Sequence, residues 1–467
     1  MNIQSLQDYI MSLLEKIKTG EDQEQINEQI KLVKYLELKM VITAPMKAGK
    51  STFLNAIIGQ EILPIHDKPM TTMPTNVVLD PQLTQPILRL DQKTFHIFNE
   101  AIKNLQTQTL QWTEQQKKYR QSSESLKAIL GGFQLKIKTT GSGEISQTLK
   151  ILNHLIRLCN EVEDCNRLQS ITHFPCLEVP FKMQTNLSQS GKLVIVDTPG
   201  SNEAGRSELR NLVNNQLGQS ALVLLIIDFT HIGSNEEYIT QSQVKEIIDL
   251  RGNSNLYVVV NKYDQRQLNS DNSLQEEEEQ EDVRTRYKLS CDHKVFLVSA
   301  QKELYANSLL GIMENHPQMS IDKLREIQST RNFAEKYYGA EWEDRLNNLT
   351  KEKLRTAAEN FKKASGFSTL LQQVFALLKD TEHTCMRTAV NIGSNSLNKL
   401  NNEWSSEINM IRDLHSKLLD EIEISTAYHN ELRRNINAAS EQLRQQHKNW
   451  SHEINEVRRL YCEISLN

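Results

Sequence analysis

The chain has 467 residues, 38% of them hydrophobic, enough for two or three domains with a sizeable core. Its formal net charge of -5 gives no electrostatic case for wrapping nucleic acid, which wants a basic face, so no direct nucleic-acid binding is expected. The six cysteines (Cys159, Cys165, Cys176, Cys291, Cys385 and Cys462) form no CxxC pair, which argues against a zinc site or disulfide framework and for a reduced, cytoplasmic setting.

The opening residues, MNIQSLQDYIMSLLEKIK, contain no apolar signal core. Ile3, Leu6, Ile10, Leu13, Leu14 and Ile17 recur at helical spacing, and Ile26, Ile30, Val33 and Leu36 repeat the pattern after Gly20. Two amphipathic helices over residues 1–36 are predicted, each needing a partner surface. From Leu38 the pattern changes. MVITA (Met40 to Ala44) reads as a buried strand, followed by a loop and a helix from Lys50 to Ile58. Further apolar runs are LVIV from Leu193, ALVLLII from Ala221, LYVVV from Leu256 and VFLV from Val295. Helix-length segments separate several of them, the signature of a mostly parallel sheet with helices on both faces. The run from Ala221 to Ile227 is the longest and falls far short of the ~20 residues a membrane span requires, so membrane contact is expected to be peripheral at most.

Residues of about 92–172 are polar, Gln-rich and helical in period, and read as an insertion into the sheet pattern. The acidic run Glu276 to Asp282 reads as a solvated helix face or loop rather than a metal site. Pro317 is the last proline, and only Gly339, Gly366 and Gly393 follow as glycines, which predicts long helices from there on. Leu432, Ile436, Ala439 and Leu443, then Ile454, Val457, Tyr461 and Ile464, mark a coiled-coil or bundle seam. The expected domains are therefore 1–36, 37–316 and a helical bundle or stalk over 317–467. Asn467 falls inside what reads as a continuing helix, so the stalk is expected to be incomplete or finished by a partner.

The octet APMKAGKS (Ala44 to Ser51) fits a phosphate-binding loop except that Ala44 stands for the first glycine. A strained φ at a residue with a Cβ costs about 1 kcal/mol or more. Backbone N–H groups around Lys47, Ala48, Gly49, Lys50, Ser51 and Thr52 are predicted to meet phosphates at a helix N-terminus. Lys50 would neutralise them, and the Ser51 hydroxyl would bind Mg²⁺. Asp197, in DTPG after the LVIV strand, is placed to hold Mg²⁺ through water, and the Gly200 N–H to meet the γ-phosphate. NKYD follows LYVVV: Asp264 can accept both N1–H and N2–H of guanine, and adenine offers no such pair, so GTP is the predicted nucleotide. Asn261 belongs to this motif, Lys262 would lay its stem over the base, and Ser299-Ala300 would bring a backbone N–H to guanine O6. All four motifs fall at the carboxyl ends of predicted strands, where open α/β sheets bind ligands. In the polar segment PIHDKPMTTMP (Pro64 to Pro74), Thr71 and Thr72 are both available to complete the Mg²⁺ shell.

With these residues in hand the chain resembles dynamin-like GTPases. KAGKSTFLNAIIGQEILP (Lys47 to Pro64) and a threonine three residues before a proline, here Thr71 and Pro74, carry the likeness. The resemblance implies that Thr71 binds metal and, with Lys50, serves catalysis. It also implies a helical bundle built from both flanks of the GTPase domain, self-association through that domain and the helical arm, and assembly-stimulated hydrolysis. Ala48 stands where eukaryotic members carry a serine that helps hydrolysis, Ser201 follows Gly200, and no glutamine is evident to orient water, so hydrolysis by the chain alone is expected to be slow. DTPGSNEAG from Asp197, and YVVVNKYDQRQLNSDN from Tyr257, are similar to bacterial clamp-binding members of the family. That likeness implies binding to the DNA-polymerase sliding clamp, with a role in sister replication-fork colocalisation and chromosome partitioning. The nearest clamp-type peptide, Gln29 to Val33, reads as a plain helical face. The lipid-binding module of a membrane remodeller, the third role open to the family, is not found in the sequence.

Overall fold

A computed structural model describes residues 3–16, 26–27, 30, 33–34, 37–45, 47–64, 74–80, 82–107, 123–161, 174–181, 192–198, 216–217, 220–251, 256–266, 276–291, 293–379, 381–421 and 426–465. It divides into two compact units: 1–38 with 189–191 and 380–467, and 39–188 with 192–379.

The elements begin with α1 (Ile3–Lys16), β1 (Glu37–Thr43), α2 (Lys50–Ile58), β2 (Thr75–Asp80) and β3 (Ile87–Arg89). Next come α3 (Gln92–Thr107), α4 (Ser123–Leu130), β4 (Lys138–Thr140), α5 (Ser142–Glu161), β5 (Cys176–Pro180) and β6 (Lys192–Asp197). Then follow β7 (Leu222–Asp228), α6 (Asn235–Arg251), β8 (Leu256–Asn261), α7 (Glu276–Arg286) and β9 (Lys294–Leu297). The rest is helical: α8 (Ala300–Asn315), α9 (Ile321–Glu326), α10 (Gln328–Tyr338), α11 (Trp342–Asn347), α12 (Lys351–Lys363), α13 (Phe367–Lys379), α14 (Thr381–Glu421) and α15 (Thr426–Ser465).

The strands form one nine-stranded sheet in the order β4-β3-β5-β2-β6-β1-β7-β8-β9. The half that carries the motifs is parallel: β1 on β7, β7 on β8 and β8 on β9. Every residue of β7 and β8 is buried, so these strands read as unbroken apolar runs rather than as alternation. Val223, Leu225 and Ile227 of β7 pack with Val258 and Val260 of β8, with Val244 and Ile247 of α6 and with Val283 of α7. The other half is mixed, with β2 antiparallel to β6 but parallel to β5, and ends in β4, a polar three-residue edge strand inside the expected insertion. Around it α3, α4 and α5 build a core of their own from Phe98, Ile102, Leu105, Leu126, Ile129, Leu152 and Leu155.

The sheet-bearing unit runs on to Lys379, past the expected boundary at 316/317. The reason is packing. Ala306, Leu309 and Met313 of α8 share a core with Phe333 and Ala334 of α10, Leu346 of α11, and Leu354, Ala358 and Phe361 of α12. The turn from α12 into α13 is pinned to the sheet. Ser299 N–H donates to the Ser365 carbonyl at 2.8 Å, and the Ser365 hydroxyl donates to buried Glu303 at 2.7 Å. Phe367, the first residue of α13, lies 5.0 Å, centroid to centroid, from Phe53 of α2.

In the other unit, Ile10, Leu13 and Leu14 of α1 form a core with Ile26, Val33, Ala389, Ile454 and Val457. Gln7 donates to the carbonyls of Val33 (2.6 Å) and Lys34 (3.1 Å). The peptide Gln29 to Val33 lies partly outside the described residues; Val33 itself is fully buried. Trp404 of α14 and Trp450 of α15 stand 5.7 Å apart, and α14 packs along α15. Among the described residues no helix is long and apolar enough to cross a membrane, and no group of three or more His, Cys, Asp or Glu is placed to hold a metal ion.

Gly366 sits at φ 76°, and a Cβ there would stand 2.2 Å from the Leu297 carbonyl oxygen. Backbone on both sides leaves no room to relax. Gly366→Ala is expected to cost at least about 3 kcal/mol, from overlap plus left-handed strain. Thermal melting of the variant checks this; an unchanged midpoint would contradict the tight corner.

Candidate nucleotide site

The loop after β1 turns sharply through two left-handed residues, Lys47 (φ 67°) and Gly49 (φ 86°). Ala44 is not among the positive-φ residues, so the strain expected there is absent: the turn is made three and five residues later. Ala44 and Ala48 are buried. Helix α2 begins directly at Lys50, with the Phe53 N–H donating to the Gly49 carbonyl at 2.8 Å. The amides from Gly49 onward therefore open a helix N-terminus, where unpaired N–H groups favour an anion.

Lys50 is buried and ion-paired with buried Asp197 at the carboxyl end of β6. Burial pushes the Asp197 carboxyl above its ordinary range, against the pull of the Lys50 ammonium. The neighbouring Thr198 hydroxyl donates to the Ile42 carbonyl at 2.8 Å and ties the end of β6 to β1. Thr71, Thr72 and Gly200 lie outside the described residues. Ser51 and Thr52 stand half-buried in the first turn of α2.

Asn261, at the end of β8, does something the sequence did not disclose. Its Nδ2 donates to the Ala48 carbonyl at 2.9 Å, and its Oδ1 accepts the Ala300 N–H at 3.0 Å. One side chain thus links the phosphate loop to the start of α8. A Cβ on Gly49 would stand 2.5 Å from that Nδ2, so Gly49 is required for space as well as for φ. Of the two residues expected to offer a backbone N–H to guanine O6, Ala300 gives its N–H to Asn261 and Ser299 gives its N–H to the Ser365 carbonyl.

Lys262 adopts φ 62° and reaches back across the loop. Its Nζ donates to the Lys47 carbonyl at 2.9 Å and to Asp228 Oδ2 at 2.5 Å. Asp228 ends β7 in register with Asn261 and also takes the Thr230 N–H and hydroxyl. Asp228 closes an apolar strand just as Asp197 and Asn261 do, and that position is the sequence signal that could have found it.

Asp264 lies in the 3₁₀ turn Tyr263–Gln265, with its side chain only 6% exposed. Its Oδ2 pairs with Lys336 Nζ of α10 at 3.0 Å. Burial pushes this carboxyl up, but the Ser299 hydroxyl and the Lys336 ammonium outweigh it and hold the group below the ordinary aspartate range. Ser299 also caps α8 by accepting the Lys302 N–H. Lys336 has no local signal in the sequence. Beside this turn, Tyr263 bonds to Glu279 of α7, with Arg266 joining both, and burial pushes the phenol up to about 12. The acidic helix thus turns one carboxylate inward.

Residues 40–263 match the model of the dynamin family. The clamp-binding protein CrfC of Escherichia coli (strain K12) is 34% identical over 265 residues, which span 54% of this chain and 34% of that protein. The match therefore takes in about a third of that relative's length. Two solved structures, described as an oligomerised bacterial dynamin pair that provides a mechanism for long-range sensing and tethering of membranes, each align with 97% of the chain. Their TM-scores are 0.36 and 0.31 at 15% and 16% identity, over 53% and 68% of those chains, and likeness at that level carries no argument. Strand β1 from Met40, the phosphate loop, Asp197 and the first residues of NKYD all fall within the matched span, so it is over the residues that build the pocket that the chain is similar to the dynamin family.

Proposed function

We propose that the chain binds GTP with Mg²⁺ in this pocket and that binding and slow hydrolysis of the nucleotide control its self-assembly. The observation that carries the reading is the convergence of Lys50, Asp197, Lys262 and Asp264 at the carboxyl ends of β6, β8 and the loop after β1, around a helix N-terminus. The residues fit a metal-bound triphosphate: a buried cation and a buried carboxylate that neutralise each other are poised for a polyanion and a divalent ion. Magnesium, when bound, supplies charge neutralisation at the phosphates.

In this reading Lys50 pairs with the phosphates, and the amides of Lys47 to Thr52 cradle them. Ser51, Thr71 and Asp197 hold the metal, and the Gly200 N–H senses the terminal phosphate. Asp264, aimed by Ser299, accepts the two guanine donors, while Lys262, fixed by Asp228 and the Lys47 carbonyl, covers the base. Hydrolysis lacks an evident water-orienting glutamine, so a second copy is expected to supply what is missing. A second reading is favoured by the 34% identity to the clamp-binding protein: a scaffold that holds the DNA-polymerase sliding clamp, with little turnover.

Lys50→Ala removes the cation that pairs with Asp197 and is expected to lower guanine-nucleotide affinity by about 3 kcal/mol or more, beyond detection at micromolar protein. Calorimetry with GDP checks this; retained affinity would remove the site. GTP turnover per chain is expected to rise with protein concentration. A flat, negligible rate, together with retention of the chain on immobilised sliding clamp, would favour the scaffold instead.

A further inference from the structure

NKYD supplies an aspartate for guanine, and the family match ends one residue before it. What makes that aspartate usable here comes from elsewhere. Lys336 lies on α10, far along the chain, yet its Nζ stands 3.0 Å from Asp264 Oδ2. The Asp264 side chain is almost fully enclosed, and that of Lys336 is 29% exposed. We propose that Lys336 is a positioning residue for guanine recognition: it fixes the Asp264 carboxylate, ionised and correctly turned, from the side away from the base. This rests on the guanine-nucleotide reading above.

A carboxylate has about four lone-pair sites. Guanine uses two, one on each oxygen. Ser299, Lys336 and the Asp264 backbone N–H also donate to it, so the base enters by sharing or replacing the backbone contact while Lys336 stays on Oδ2. The pairing supplies two things the base requires. A protonated carboxyl offers one donor and one acceptor and cannot take both guanine N–H groups. An enclosed carboxylate without a cation loses much of its charge stabilisation. Lys336 and Ser299 also fix the carboxyl plane from two directions, which limits the ordering left to be done on binding. The lysine's helix is itself held: Phe333 and Ala334 are buried in the core shared with α8 and α12. Tyr337, on the next position, stacks on Phe333 at 5.4 Å between ring centroids, at an interplanar angle of 19°. The cation is thus delivered on a rigid element.

The test compares the full-length wild type with Lys336→Met, which keeps the apolar stem, and Lys336→Arg, which keeps the charge. Affinities are measured for GDP, ADP and inorganic tripolyphosphate in Mg²⁺ buffer. The wild type is expected to prefer GDP over ADP. Lys336→Met is expected to lose about tenfold in GDP affinity, as for loss of a charge-assisted hydrogen bond acting through its partner, with tripolyphosphate affinity unchanged. Lys336→Arg is expected to recover most of the loss. A guanine-selective wild type whose Lys336→Met variant keeps GDP affinity within twofold, or loses GDP and tripolyphosphate affinity equally, overturns this proposal alone. A wild type without guanine preference overturns the pocket and the proposal together.

Discussion

The Asn261 carboxamide is the interaction around which the site is arranged. It donates to the Ala48 carbonyl and accepts the Ala300 N–H, joining the phosphate loop after β1 to the N-terminus of α8 across the end of β8. Three segments far apart in the chain take fixed positions because one buried amide has a donor and an acceptor to satisfy. The missing side chain of Gly49 lets the loop pass close enough. Buried polar groups of this kind are costly unless every partner is present, so the arrangement holds as a whole or not at all.

Charge follows the same logic. Three charged pairs among the described residues of the pocket each join different elements: Lys50 with Asp197, Lys262 with Asp228, Asp264 with Lys336. Such pairs add little net stability when enclosed, because desolvation offsets attraction. They are useful for another reason. They hold charged groups in place in the absence of a ligand, so that a charged ligand meets an ordered pocket and less of its binding energy goes into ordering. In the proposed reading, the Lys50–Asp197 pair is the one that opens, each partner turning to phosphate or metal, while the other two persist.

Much of this was legible in the sequence. Helix α2 runs over Lys50–Ile58 as expected, because the glycine before it and Gly59 after it, both left-handed, mark its ends. The central strands lie within a few residues of their apolar runs, since burial on both faces makes them continuous. What escaped was set by distance or direction. Pro317 looks like a border because no further proline follows, yet Ser365 and Gly366, some fifty residues on, close against Ser299 and Leu297. Strand β4 is three polar residues whose only reason to be a strand is its neighbour β3. Asn261 was legible as a motif member but not in its orientation: the type of residue was evident, the atoms it holds were not. The left-handed φ fell on Lys47 and Gly49 rather than on Ala44, and the Lys47 carbonyl accepts from Lys262 there.

The most direct test of this account concerns a residue that is not placed in contact with phosphate. Binding of inorganic tripolyphosphate to Asn261→Ala should be weaker than to the wild type by about tenfold, because loss of the amide leaves the Ala48 carbonyl and the Ala300 N–H unpaired and frees the phosphate loop. If the variant folds and binds tripolyphosphate as tightly as the wild type, the loop does not depend on Asn261, and the arrangement described here is not what shapes the pocket.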